Sequence, residues 1–385
     1  MHQIVEVFRE FIRKGDKMLL LLCLAATAFG CLVISSATNA MGSARFIIIQ
    51  LLATGIGVFL YAVISSVDTE FFSEHRTSLV VFNTLLLLML IPFGTDNGTG
   101  NRSWLDIPLL PVNIQPAEIC KITYVLIMAS VMAAHQNKIS SVKSVFHMVF
   151  HLLLLVGLNM VLSRDAGVSL IFVFIFIGMA FAGGVHLIWF LLAGGGLVAL
   201  APFAWKYVLS NYQKERIQIL FDPTIDPLGT GPRYHSKQSL RSLTGGGLMG
   251  QGLYEGTRTQ TEDALFAQHT DYIFSAIGEE LGYVGCIFVV VLLLLIVARC
   301  IYVGSRSQDY MRRLVCFGAA AALIFQITSN VGMCIGVTPV IGLTLPFISY
   351  GGSSIVSLYA MLGLVSGVYA RPDSQSHERY IRPPL

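Results

Sequence analysis

Ten long apolar stretches, near residues 18–36, 45–66, 77–94, 117–134, 144–162, 167–184, 186–204, 272–298, 313–335 and 346–369, constrain this chain more than any other feature. The hydrocarbon layer of a bilayer is about 30 Å thick and a helical residue rises about 1.5 Å, so each stretch can cross it as a helix. A soluble core has no use for that many such runs. Charged residues make up 12% of the 385-residue chain, half of the roughly 25% usual in a soluble domain. Mean hydropathy is correspondingly high at +0.71. The expected fold is therefore all-α: a polytopic membrane protein of about ten transmembrane helices, forming one unit over 1–385. The stretches near 167 and 186 have almost nothing between them and should form a tight helical hairpin. The longest polar segment, about 205–271, is rich in Gly, Asp, Arg and Gln, with too little apolar content for an independent domain.

Orientation follows from the basic residues, which accumulate on the cytoplasmic side of short loops. With the N-terminus inside, that side collects Arg9, Arg13, Lys14, Lys17, Arg76, Lys138, Lys143, Arg299, Arg306, Arg312, Arg313, Arg371, Arg379 and Arg382. The short outer loops then hold only Arg45, Arg102 and Arg164. Both termini (1–17 and 371–385) are thus expected in the cytoplasm, and the 205–271 loop outside. A net charge of +3 is too small to point to nucleic acid. The seven cysteines fall in or beside apolar runs, odd in number and without a CxxC pair, and read as core thiols. Ala37-Thr38-Asn39-Ala40 loosely suits a signal-peptide cleavage site, but the first run is too long and too many spans follow for that reading.

An ionisable group deep in a bilayer costs about 2.5–3.5 kcal/mol on insertion scales, so those present need a reason. Glu118 and Lys121, at i and i+3 on the fourth span, can pair on one face, either as a structural clasp or as part of a site. Glu279 and Glu280 are adjacent and so point about 100° apart; one should face a polar interior while the other caps or packs. His269-Thr270-Asp271 stands at the mouth of the eighth span, beside the long loop. There a Thr or Asp can simply cap the helix, or the acid can do chemistry. His147 and His151 have metal-ligand spacing, but without an acid or cysteine nearby, interhelical hydrogen bonding is the expected role. Gly194-Gly195-Gly196 lies within an apolar span and reads as a close-packing or kink site. No phosphate-loop, nucleophile-elbow or zinc-protease motif occurs.

Several stretches, taken in order, resemble the SEDS family, the group containing RodA and FtsW. Arg102-Ser103-Trp104-Leu105 with Ile114-Gln115-Pro116-Ala117-Glu118-Ile119-Cys120-Lys121 resembles that family's "RW…QPSE..K". Phe221-Asp222-Pro223 and Asp226-Pro227-Leu228-Gly229 resemble "FLDP..DP.G"; Gln238-Ser239 and Gly245–Gly252 resemble "QS…GSGGL.G.G". His269–Phe274 through Gly278–Gly282 is similar to "HTDFIF..IGEELG", and Leu345–Ser354 follows the C-terminal signature nearly letter for letter. Two places depart. Leu265-Phe266-Ala267-Gln268 replaces the usual "LPE", so the role of the missing glutamate is either absent or displaced to Glu262 or Asp263. Ser163-Arg164-Asp165-Ala166-Gly167-Val168 replaces "QPDLGT".

The resemblance implies a peptidoglycan glycosyltransferase of the bacterial cytoplasmic membrane. Its reaction would be polymerisation of lipid II, the undecaprenyl-diphosphate-linked disaccharide pentapeptide, in elongation, division or sporulation. It implies Asp271 as general base or metal ligand, with a divalent cation (Mg or Mn) supporting it. Arg102, Lys121, Arg216 and Arg233 become candidates for the diphosphate. Trp104, Glu118, Gln238, Ser239, Glu279, Ser349 and Tyr350 are substrate-binding or site-supporting candidates, and a class B penicillin-binding protein is the implied partner. A lipid II transporter and an inactive scaffold for that partner remain the alternatives.

Overall fold

In the computed structural model, the residues described are 9–42, 44–96, 101–106, 113–207, 211–222, 226, 234–261, 264–265 and 267–371. Among them the spans are α1 (Lys17–Ala37), α2 (Arg45–Ser66), α3 (Arg76–Leu88, continued by Leu90–Phe93), α4 (Pro116–Ala134), α5 (Val142–Leu162), α6 (Ala166–Ala182) and α7 (Leu187–Tyr207). The long loop carries α8 (Asn211–Phe221) and α9 (Tyr234–Gly245), and three more spans follow: α10 (Ile273–Arg306), α11 (Tyr310–Cys334) and α12 (Gly352–Ala370). Nine of the ten spans have the length and apolarity to cross a bilayer, and α6, at 17 residues, is a short tenth. The fold is an all-α multi-pass membrane protein.

Burial sorts the helices. In α4, α11 and α12, 72% of the most apolar window is buried inside the protein, against 28% in α2 and α5. The first three form the centre, and the others turn their apolar side to lipid. Asp16 fastens the N-terminal end of α1: its carboxylate caps Leu19 N–H (3.0 Å) and pairs in bidentate fashion with Arg299 on α10 (2.9 and 3.1 Å). Its backbone N–H donates to Ser366 on α12 and its carbonyl accepts from Tyr61 on α2. Helices α2 and α12 approach so closely that a Cβ on Gly363 would meet the Tyr61 carbonyl at 2.9 Å. Small residues permit such contact where lipid gives no hydrophobic drive between helices.

The Gly245–Gly252 motif has a backbone purpose. α10 is broken at Gly282, whose φ of 66° and ψ of −168° are open to glycine alone. The gap is filled by the chain at 246–252. Gln251 and Gly252 N–H donate to the carbonyls of Glu279 and Glu280 (2.9 and 3.0 Å), and Tyr283 N–H donates to the Gly247 carbonyl (3.0 Å). Within a bilayer every freed backbone group needs such a partner. A Cβ on Gly250 would lie 2.1 Å from the Glu280 carbonyl oxygen, so the fit tolerates no side chain.

Four expectations are corrected. The last span begins at Gly352 rather than 346, because Leu345–Gly351 is a folded turn with Phe347 at φ 63°. The eighth extends to Arg306, eight residues further than its apolar run. Helix α7 does follow α6 after a short turn, yet none of its apolar window is buried, so the two make no packed hairpin. A Cβ on Gly194, Gly195 or Gly196 would meet nothing within 4 Å, and α7 runs through them unbroken; they neither pack nor kink.

Candidate active site

The site lies where the N-terminal ends of α4, α6 and α10 and the C-terminal end of α11 meet the segment 335–351. Asp271 closes a turn that starts at Ala267, whose carbonyl accepts from Thr270 and Tyr272 N–H (both 3.1 Å). Ala267 stands where the related pattern has glutamate, at φ 51°. Glu262 and Asp263, named as substitutes for that glutamate, lie outside the described residues. The turn is gripped by its carbonyls. Asn330 Nδ2 donates to Asp271 O (2.8 Å) and Leu343 O (2.7 Å), Ser349 Oγ to Thr270 O (2.6 Å), and Tyr350 N–H to His269 O (2.9 Å). Ser349 and Tyr350 therefore support the turn, with the Tyr350 ring against Phe46 and His269.

With the backbone so held, the Asp271 side chain is left over. Helix α10 has Tyr272 as its N-cap residue and no side-chain cap, which removes the capping role open to Asp271. Its carboxylate makes no hydrogen bond with any described residue. Burial pushes its pKa up to about 6, and the nearby charge of Asp165 adds to the rise.

Asp165 completes the arrangement and was not among the sequence candidates. It caps α6 by accepting from Val168 N–H (3.1 Å), and its other oxygen accepts from Ser103 Oγ and Gln115 Nε2 (both 3.3 Å). Burial raises its pKa too, against the lowering effect of those donors. A Cβ on Gly342 would sit 3.5 Å from Asp271 Oδ2, and one on Gly167 2.6 Å from Ile341 O and 3.4 Å from Asp165 Oδ1. The two carboxylates thus flank the same stretch of backbone, Ile341-Gly342. The signal was legible: Ser163–Val168 keeps the aspartate and the glycine of the pattern it departs from elsewhere, as Asp165 and Gly167.

Through Ser103 and Gln115 the site reaches the other motif residues. Trp104 is half-buried on a two-stranded ribbon, β1 (Gly94–Thr95) with β2 (Trp104–Leu105). Arg102 donates to Gly94 O (2.8 Å) and Ile91 O (3.0 Å) at the C-terminal end of α3, where a cation is favoured. It also lines, with Thr95, Asp96 and Arg164, an open cavity of about 580 Å³ whose wall is otherwise Leu90, Ile91, Val161 and Leu162. Glu118 and Lys121 are paired at 2.8–2.9 Å, buried, with Ser357 Oγ donating to the second Glu118 oxygen (2.5 Å). Arg216 reaches from α8 to Val340 O (2.5 Å), two residues before Gly342.

Other candidates stand apart. Glu279 and Glu280 are both buried, contrary to the divided roles expected of them. Glu279 accepts four hydrogen bonds from Thr257, Arg258 and Thr259, and Glu280 holds Ser36 and Gln260. Both fasten the outer loop. Ser239 is buried against Ser275 and Cys334 O, and Gln238 accepts from Arg258, so these two support the loop from within. Arg233, Pro223 and Pro227–Gly229 lie outside the described residues. No group of three or more His, Cys, Asp or Glu is arranged for a metal ion among the described residues, His147 and His151 included.

The family profile described as cell cycle protein, FtsW/RodA/SpoVE, matches residues 16–373. The chain is 32% identical to the probable peptidoglycan glycosyltransferase FtsW of Trichlorobacter lovleyi, over 96% of this chain and 98% of that protein. It is 31% identical to the peptidoglycan glycosyltransferase MrdB of Escherichia coli K12, over 92% and 93%. A chain from a peptidoglycan synthase complex described as coordinating polymerization and crosslinking superposes with a TM-score of 0.77 at 29% identity, covering 92% of this chain and 97% of that one. The rod shape determining protein RodA of Thermus thermophilus superposes with a TM-score of 0.68 at 26% identity, covering 92% and 96%. With a profile match over residues 16–373 and relatives 31–32% identical over more than nine-tenths of its length, the chain belongs to the FtsW/RodA/SpoVE family.

Proposed function

We propose that the chain is a peptidoglycan glycosyltransferase that polymerises lipid II at the outer face of the bacterial cytoplasmic membrane, with both termini inside. The observation that carries this is the Asp271 carboxylate: not capping a helix, without a hydrogen bond to any described residue, and tuned upward to about 6 beside a second acid. A general base works best with a pKa near ambient pH, and burial with a like charge brings Asp271 towards it. The acceptor 4-hydroxyl gives its proton to Asp271 as its oxygen attacks the donor anomeric carbon. The bond to the diphosphate breaks with inversion, in one displacement without a glycosyl-enzyme intermediate.

The leaving diphosphate needs positive charge as it departs. Arg102 faces the cavity with two of its five N–H groups committed to backbone, so its remaining donors and the neighbouring Arg164 supply it. The apolar wall of that cavity suits the start of the polyprenyl chain. Lys121 is bound to Glu118 and acts as a fixed part of the wall of the site. Two carboxylates with substrate oxygens and waters fit a hard cation such as Mg²⁺ or Mn²⁺; Asp271 and Asp165 would hold it, and it would supply further neutralisation of the diphosphate.

The partner is a class B penicillin-binding protein that cross-links the new strand. The test is glycan synthesis from lipid II by the purified protein, alone and with that partner. Strands of many disaccharides, formed with the partner's cross-linking blocked, support the reading. Movement of lipid II across proteoliposomes without polymer, in either setting, replaces it with a transporter.

A further inference from the structure

The end of the bundle opposite Asp271 carries a second cluster of chemistry, in the cleft between α3 and α5. His135, the C-cap residue of α4, stacks edge-on to His147 (centroids 5.1 Å), and His147 lies 5.1 Å from His151 one turn on. The Nδ1–H of His135 donates to Val131 O (2.9 Å), which fixes the first ring. His147 and His151 make no hydrogen bond to a described residue. Arg76 is within electrostatic reach of both, and Lys143 of His147.

Three observations say what this cleft is for. No carboxylate among the described residues pairs with Arg76, Lys143 or the three imidazoles. Helix α3 starts at Arg76 with no side-chain cap and no acid in its first turn, so its free N–H groups and dipole add to the positive field. Exposed apolar side chains flank the cleft on α5: Val142 and Phe146, beside Lys143 and His147 in the helix, are each 73% exposed, and Phe150, whose ring is 5.8 Å from His151, is 53% exposed. His151, one turn further in, borders a small cavity of about 20 Å³ with Asn83, Thr84 and Tyr124. Cations without counter-ions, flanked by exposed aromatic and aliphatic side chains, match an anion that carries its own hydrocarbon. A soluble phosphate would leave those side chains unused, and a metal cation would face Arg76 and Lys143.

We propose that this cleft binds the phosphate of an anionic phospholipid, held by Arg76, Lys143 and the N–H groups of His147 and His151, with its chains along Phe146 and Phe150. Given the orientation above, the lipid belongs to the cytoplasmic leaflet. The site is separate from the reaction centre, so its failure would leave the polymerase reading untouched.

The test is native mass spectrometry of the purified full chain in detergent with added phosphatidylglycerol, against phosphatidylcholine of the same chains. The wild type should retain phosphatidylglycerol preferentially. The double variant Arg76→Gln/His147→Gln, with an unchanged melting temperature in phosphatidylcholine nanodiscs, should lose at least tenfold in apparent affinity. If that variant does not fold, Lys143→Gln at the exposed edge of the cleft is read instead, and a loss of about threefold is expected. Equal retention of the two lipids by the wild type overturns the proposal, as does unchanged retention in whichever variant is read. Displacement of phosphatidylglycerol by equimolar inorganic phosphate overturns the lipid assignment in favour of a soluble anion.

Discussion

Two acidic groups near one end of this bundle have met opposite fates. Glu118 is buried but complete: both oxygens meet Lys121, and Ser357 donates to one of them. Asp271 is gripped by its backbone, while among the described residues its carboxylate has only another carboxylate for company. A buried charge with all its partners is stable and inert, whereas one held without them keeps its reactivity. The lesson is that an intramembrane charge does not by itself mark the chemistry. What marks it is whether the fold has answered it.

That contrast can be broken most forcefully at Glu118. Glu118→Gln leaves the Lys121 ammonium buried without a counter-ion, a loss of about 3–5 kcal/mol for a pair of this kind. Yield and melting temperature should fall steeply, and Glu118→Gln/Lys121→Met should restore much of both. A single variant as stable as the wild type would mean that the pair is not a clasp, and its place in the reaction would need to be reconsidered.

Next in size is Asp271→Asn. Asparagine is nearly isosteric, no hydrogen bond with a described residue is lost, and a carboxylate whose ionisation destabilises the fold is removed, so melting temperature at neutral pH should hold or rise. Polymerisation should fall by about 10²-fold or more, the scale of removing a general base. A variant that keeps its rate removes Asp271 from the reaction.

The smallest effect is the most specific. As a base Asp271 must be ionised, so the rate should fall about tenfold per pH unit below about 6 and level off above it. The sign for stability is the reverse. A carboxyl raised above its unfolded value favours the protonated fold, so Asp271 should destabilise progressively from about pH 4 to pH 6. Asp165→Asn removes the neighbouring charge that contributes to the rise, so the acid limb of the rate profile should move to lower pH. A limb that stays in place would show that burial alone sets it and that the two acids act independently.

Much of this was legible in the residues. The ten apolar runs give the ten spans, because a helix in lipid must be apolar along its length and so writes itself locally. The i, i+3 spacing of Glu118 and Lys121 puts them in contact for the same local reason. Gly245–Gly252 was visible as a motif but not as a function: nothing local says that it completes a helix broken at Gly282, some thirty residues on. The even chance between cap and chemistry at Asp271 had the same root, since a cap is defined by φ and ψ that spacing does not fix.

What the sequence by itself determined is the set of helices, their order and the acid at the mouth of the eighth. Only the tertiary structure decided that Asp165, more than a hundred residues earlier, faces Asp271 across Ile341-Gly342. It also decided which partners Glu279 and Glu280 hold: Thr257, Arg258 and Thr259 for the first, Ser36 and Gln260 for the second. The physical reason is one of range. Bilayer crossing is imposed residue by residue along a helix, but the partners of a side chain depend on which helices pack together, and no local period encodes that.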